Sequence, residues 1–154
     1  MGKFTKFARI AEVEFSVIAL STQNLGLKLR IYLIDKSFID FYFTTRTTVK
    51  RFSIHWERIH IDKTVYRLDN TPDKKWRKVK TFPIHFHNKK YNLVIKPPFV
   101  LKPKISLENI FRIFLQFTEE KLEDYIDQLD ARKLEKESRG RGIPIEKLVK
   151  KYSK

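Results

Sequence analysis

The sequence predicts an α+β fold. An antiparallel meander sheet of about five to six strands is preceded by a candidate short helix and followed by a long amphipathic helix. Three observations predict it. Apolar and polar residues alternate with period two through successive segments between Val13 and His87. Thirteen Phe, six Tyr and two Trp against only four Gly favour pleated, half-buried surfaces. Beyond Ser106 the apolar spacing changes to three and four, the period of a helix with one buried face.

At the N-terminus Phe4, Phe7, Ala8 and Ala11 are spaced for a short amphipathic helix over Lys3 to Ala11. A meander then reads as VEFSVIALS, a turn near Asn24 and Gly26, LKLRIYLI, a turn at Asp35 to Ser37, and FIDFYFTTR. Leu27, Leu29, Ile31 and Leu33 alternate with Lys28, Arg30 and Tyr32, and Ile39, Phe41 and Phe43 with Asp40, Tyr42 and Thr44. In RFSIHWE, Phe52, Ile54 and Trp56 oppose Ser53, His55 and Glu57. A change of phase follows, with Ile59 and Ile61 apolar around His60, so a bend is expected near Glu57 to Arg58 and His60 falls outside the site. VYRLDN sets Tyr66 and Leu68 against Arg67 and Asp69, and TFPIHFH sets Phe82, Ile84 and Phe86 against His85 and His87.

Ser106 is a good N-cap, and Leu107, Ile110, Phe111, Phe114, Phe117, Leu122, Tyr125, Ile126 and Leu129 continue at helical spacing. The RGRG at Arg139 to Gly142 is expected to interrupt the helix. Pro144 then suits the first turn of a short helix whose Ile145, Leu148, Val149 and Tyr152 form an apolar stripe. Two domains are expected: a basic α+β domain over 1–129, and a charged hinge with a short amphipathic helix over 130–154. That last helix either folds back or serves a partner, a homodimer contact included.

Charge narrows the function. The 154 residues carry 33 Lys plus Arg and 18 Asp plus Glu, a formal charge of +15, and the absence of cysteine excludes disulfides and thiolate metal sites. Residues 1–118 hold 23 basic and 9 acidic side chains, against 10 and 9 in residues 119–154, so the positive field belongs to the front of the chain. Within it, the stretch from Lys74 to Lys104 contains ten basic residues and no acid. Lys74, Lys75, Arg77, Lys78, Lys80, Lys89 and Lys90 are the candidate nucleic-acid contacts, with Trp76 among them as a base-stacking candidate. A solubilising lysine surface or an acidic partner protein would account for the same field. No apolar run approaches the roughly 20 residues a bilayer crossing needs, and the N-terminus lacks a secretory apolar stretch. No membrane association and a cytoplasmic location are the expectation.

Strand parity has a chemical consequence. If the apolar sets share one core, His55, Arg67, Asp69, His85 and His87 must share the opposite face, and neighbouring strands would gather them. Cleavage of RNA by its 2′-hydroxyl needs a base, an acid for the leaving oxygen and a cation on the phosphate. One of His85 and His87 would be the base, the other or His55 the acid, and Arg67 would hold the phosphate. Asp69 would orient a histidine or Arg67. The function expected is a ribonuclease without a permanent cofactor. The same donors admit a divalent metal ion, and structural histidines in a non-enzymatic nucleic-acid-binding module are the other alternative.

The blocks RFSIHW, with His55 and Trp56, YRLDNTP, with Arg67, Asp69, Asn70 and Pro72, and TFPIHFH, with Phe82, Pro83, His85 and His87, resemble the TumE family of toxins in order and spacing. Together they cover about forty residues, with a looser match of the preceding strands. Leu68 stands where the family often has Trp, and Asp73-Lys74-Lys75 replaces a stretch that frequently contains histidine. The resemblance implies a small α+β toxin of a type II toxin-antitoxin pair, neutralised by a helix-turn-helix antitoxin, with an activity directed at RNA.

Overall fold

The computed structural model describes residues 2–45, 48 and 50–141. The helix expected around Pro144 lies outside the described residues. Two compact units divide the chain at residues 118 and 119.

In the first unit, α1 (Thr5–Arg9) continues into a π-helical turn (Ile10–Glu14). Seven strands follow: β1 (Ala19–Asn24), β2 (Leu29–Leu33), β3 (Phe38–Phe43), β4 (Phe52–Arg58), β5 (Thr64–Asp69), β6 (His85–Lys89) and β7 (Val94–Ile95). A helical turn, α2 (Ile59–Asp62), joins β4 to β5 just past the bend expected near Glu57 to Arg58, both of which remain in β4. The sheet is a pure meander, each strand antiparallel to its neighbour in sequence. Helix α3 (Leu107–Lys121) starts behind Ser106, whose Oγ accepts the Asn109 N–H at 3.2 Å, the N-cap bond its sequence position predicts.

Period two decides the core. Leu29, Ile31, Leu33, Ile39, Phe41, Ile54, Trp56, Leu68 and Phe86 are all buried on one face. Two helical segments cover it. Phe7 of α1 and Phe111 of α3 meet at 5.3 Å over Phe41, 4.7 and 4.8 Å away. Farther along α3, Phe117 packs edge-on to Trp56, Tyr66 and Phe86 at 6.5, 5.4 and 5.5 Å. The helix therefore runs across the sheet from β3 toward β6, sealing the apolar face and leaving the other for chemistry. One polar network is tied into the core: Trp56 Nε1 donates to Ser37 Oγ at 2.8 Å, and Asp35 accepts from that hydroxyl and from Arg58.

Four boundaries differ from the sequence reading. Val13 and Val17 are exposed, and β1 begins only at Ala19, because buried Phe4, Phe7, Ala11, Phe15 and Ile18 carry the helical period beyond the expected end. Leu27 lies in the β1–β2 turn, exposed, where Gly26 takes a φ of 88° and donates to Asn24 Oδ1. Phe82 and Ile84 precede β6; a cis bond joins Phe82 to Pro83. The tail helix is interrupted at Leu122.

In the second unit, α4 (Glu123–Arg141) is largely charged and runs uninterrupted through residues 129 and 130 and on through Arg139 and Gly140. The break expected at the RGRG therefore does not occur before Arg141. No helix among the described residues is long and apolar enough to cross a membrane.

Candidate functional site

The register builds the site. Across β4, β5 and β6, His55 pairs with Arg67 and Arg67 with His87; one step along, Asp69 pairs with His85. Directly paired residues share a face, so all five stand on the side opposite the core, as the alternation requires. Two further charged pairs extend the first row: Asp40 of β3 lies opposite His55, and Arg30 of β2 opposite Asp40.

The five are not equally accessible. Asp69 and His85 are buried, at 3% and 2% exposure. The His87 and His55 side chains are 12% and 15% exposed, and Arg67 is the outermost at 37%. The polar face expected from the alternation is thus covered at its centre, because the β5–β6 connection closes over it. Trp76 of that connection lies 6.4 Å from the His85 ring and 6.1 Å from that of His87.

Asp69 is the hub. Its Oδ1 accepts the Thr71 N–H at 3.0 Å and faces His85 Nε2 at 3.3 Å; its Oδ2 faces His87 Nε2 at 3.6 Å and Arg67 Nε at 3.0 Å. The Arg67 contact is an ion pair without hydrogen-bond alignment, since Nε has no hydrogen-bond partner among the described residues. Each histidine is tethered at its other nitrogen. His85 Nδ1 donates to the Pro83 carbonyl at 2.9 Å, and His87 Nδ1 to the Tyr91 carbonyl at 2.7 Å. Those carbonyls only accept, so both Nδ1 atoms carry hydrogen and both Nε2 atoms are aimed at Asp69. Burial alone would raise the Asp69 pKa, but the rings of His87 and His85, the Thr71 N–H and Arg67 hold it below the ordinary carboxylate range.

His55 sits apart from this hub. Its Nε2 is 3.5 Å from Glu57 Oε1, and its ring stacks on Tyr91 at 5.9 Å. Burial lowers its pKa below the ordinary histidine range despite Glu57, and Arg67 acts in the same direction. Next to it Asp40 is neutralised by a bidentate bond from Arg30, at 2.7 and 2.9 Å, and by Lys28 at 2.8 Å.

Glu57 and Tyr91 are additions to the residues chosen from sequence. Glu57 was legible, two positions from His55 on the same strand face. Tyr91 was not, because nothing in the alternation indicates where a hairpin turn folds its side chain.

Of the basic candidates, Lys74, Lys75 and Trp76 form a 3₁₀ turn capped by Asp73, which accepts the Lys75 N–H at 3.0 Å. Arg77, Lys78 and Lys80 follow it, exposed, while Lys89 and Lys90 stand at the β6–β7 turn beside Tyr91. A cavity of about 740 Å³ lies elsewhere, among α1, the start of α3 and the ends of β3 and β4; none of the five residues lines it.

Asp69, His85 and His87 can each bring one donor atom within 4.8 Å of the others, a ligand set for a divalent ion. Imidazoles held at Nδ1 by backbone carbonyls with Nε2 converging on a carboxylate fit such a site. The Arg67 cation 3.0 Å from the same carboxylate opposes it.

Sheet, helices and this polar face define a small basic α+β protein with an organised titratable cluster on its sheet. The sequence model of the family described as Toxin TumE matches residues 4–123, the span that contains every strand and the cluster, and the chain belongs to that family. A toxin of a toxin-antitoxin system, with a cognate antitoxin as partner, is what membership implies. Comparison with curated proteins finds no significant match, and neither does comparison with solved structures.

Proposed function

We propose that this toxin acts on RNA as a metal-independent ribonuclease. The observation that supports it is the cross-strand row His55–Arg67–His87, with a guanidinium between two imidazoles. Strands are spaced about 4.8 Å apart, so the two histidine backbones stand roughly 10 Å from each other with Arg67 midway. A phosphodiester held on Arg67 then has an imidazole to either side. His55, whose lowered pKa keeps it neutral, takes the proton of the 2′-hydroxyl as that oxygen attacks phosphorus. His87 protonates the departing 5′-oxygen, leaving a 2′,3′-cyclic phosphate and a free 5′-hydroxyl. Asp69 holds His87 and Arg67 in place, and buried His85 positions Asp69. His85 thus takes a positioning role in place of the base or acid role its spacing suggested, because at 2% exposure it is enclosed, whereas the His87 side chain keeps 12% of its surface open to a bound phosphodiester.

Purified protein incubated with RNA in EDTA should give cyclic-phosphate ends, and His87→Ala should abolish them. Intact RNA after long incubation with salt-sensitive binding would favour the non-enzymatic binding module instead. The converging donors of Asp69, His85 and His87 favour a second reading, a metal-dependent nuclease, for which EDTA would stop cleavage. In the cell we propose neutralisation by a helix-turn-helix antitoxin, action in the cytoplasm, and self-association as the homodimer reading of the tail.

A further inference from the structure

A groove of about 470 Å³ opens between the β5–β6 connection and β7. That is within the size range of small-molecule and cofactor sites. Its floor is apolar, made by Trp76, Val79, Val94 and Ile95. Lys75, Lys78 and Lys80 stand along one wall, and Lys96 on the other. An apolar floor under a cationic rim suits a ligand with a flat ring and an anionic edge, and no acid between Lys74 and Lys104 opposes it.

The groove also adjoins the site. Val94 is the cross-strand partner of His87, and Trp76 lies edge-on to the His87 ring at 6.1 Å. A chain leaving Arg67 past His87 therefore enters the groove at once. A paired base within a duplex offers no free face to an aromatic ring in a groove, whereas an unpaired base does. We propose that the groove holds one unpaired nucleotide of single-stranded RNA beside the phosphodiester on Arg67, its base against Trp76 and its phosphate among the lysines. This rests on the RNA-directed reading and adds the strandedness of the substrate and the place of its neighbouring nucleotide.

Intrinsic fluorescence tests it. Trp56 is 1% exposed, so quenching by a ligand reports Trp76. A short 2′-O-methyl RNA has no attacking hydroxyl, so binding is read without cleavage. The single strand should quench wild-type fluorescence at physiological salt, and a blunt duplex of equal length should bind at least tenfold more weakly. Lys96→Glu, an exposed change that leaves the core untouched, and Ile95→Glu should each weaken binding about tenfold or more; Trp76→Leu should remove the quenching. Equal binding of single strand and duplex would overturn the proposal. So would unaltered binding by Lys96→Glu, or oligonucleotides that fail to bind while the acidic surface of a partner protein protects Trp76. Single-strand binding with these properties but no cleavage of unmodified RNA would support the groove and refute the nuclease.

Discussion

Arg67 rests its Nε 3.0 Å from Asp69 Oδ2 while the rest of its guanidinium reaches toward solvent. The inner edge of the cation balances a buried carboxylate, and the outer edge has no hydrogen-bond partner among the described residues. A phosphate can therefore dock on Arg67 without stripping Asp69 of its counter-charge, which a lysine could not arrange with one nitrogen.

Arg67→Lys should accordingly keep the fold and lose the activity. Charge beside Asp69 is retained, so the thermal midpoint should move by no more than a few degrees, while RNA cleavage and growth arrest fall by about tenfold or more. Undiminished toxicity would place the phosphate elsewhere.

Asp69→Asn attacks the hub from the other side. The amide keeps an acceptor for the Thr71 N–H but leaves Arg67 and two imidazoles without their carboxylate. Removing one partner of a buried ionic cluster costs about 3 kcal/mol or more. Denaturant melts should show that loss together with abolished cleavage; a variant of parental stability would mean the cluster is far more hydrated than its 3% exposure implies.

Stability should fall on acidification, through two groups whose pKa values are lowered by folding. His55 is held below the ordinary histidine value of 6.5, so its contribution is complete above that pH and is lost as pH falls through the folded value. Asp69, lowered from 3.8, acts likewise in a more acidic window. His55→Gln should flatten the stability profile just below pH 6.5 and leave the more acidic limb in place. An unchanged profile across the first window would contradict the burial of the imidazole.

Trp56→Phe separates packing from chemistry. The indole N–H donates to Ser37 Oγ at 2.8 Å, and the ring is 1% exposed, on the face opposite His55. Losing the bond and part of the ring volume should cost about 1–3 kcal/mol in chemical denaturation. At temperatures where the variant remains folded, RNA cleavage should stay within about twofold of the parent. A much larger loss would show that the core side of β4 sets the position of His55.

What the sequence made legible follows from period two. Ile54, Trp56, Leu68 and Phe86 announce which face is buried, and the parity of His55, Arg67, Asp69, His85 and His87 follows from it without knowledge of any loop. Depth does not follow. Nothing in the alternation says that the connection carrying Trp76 folds over the polar face, so His85 read as accessible when it is enclosed. Nor does alternation distinguish a strand from a helical segment where β-branched residues lie exposed on its outer side, as Val13 does in the π-helical turn and Val17 in the turn that follows it. Long-range pairs such as Arg30–Asp40, which sets the charge beside His55, depend on register, and register is decided by turns rather than by composition.

Because every strand binds the one made just before it, the sheet can assemble in the order of synthesis, hairpin upon hairpin. The part of its apolar side that α1 does not reach nevertheless stays bare until the ribosome has delivered Phe111, Phe114 and Phe117, 24 to 30 residues after His87. The nascent chain thus carries all its reactive groups before it has the covering helix that makes them rigid, and that interval is when a waiting antitoxin would meet the least organised form of its target.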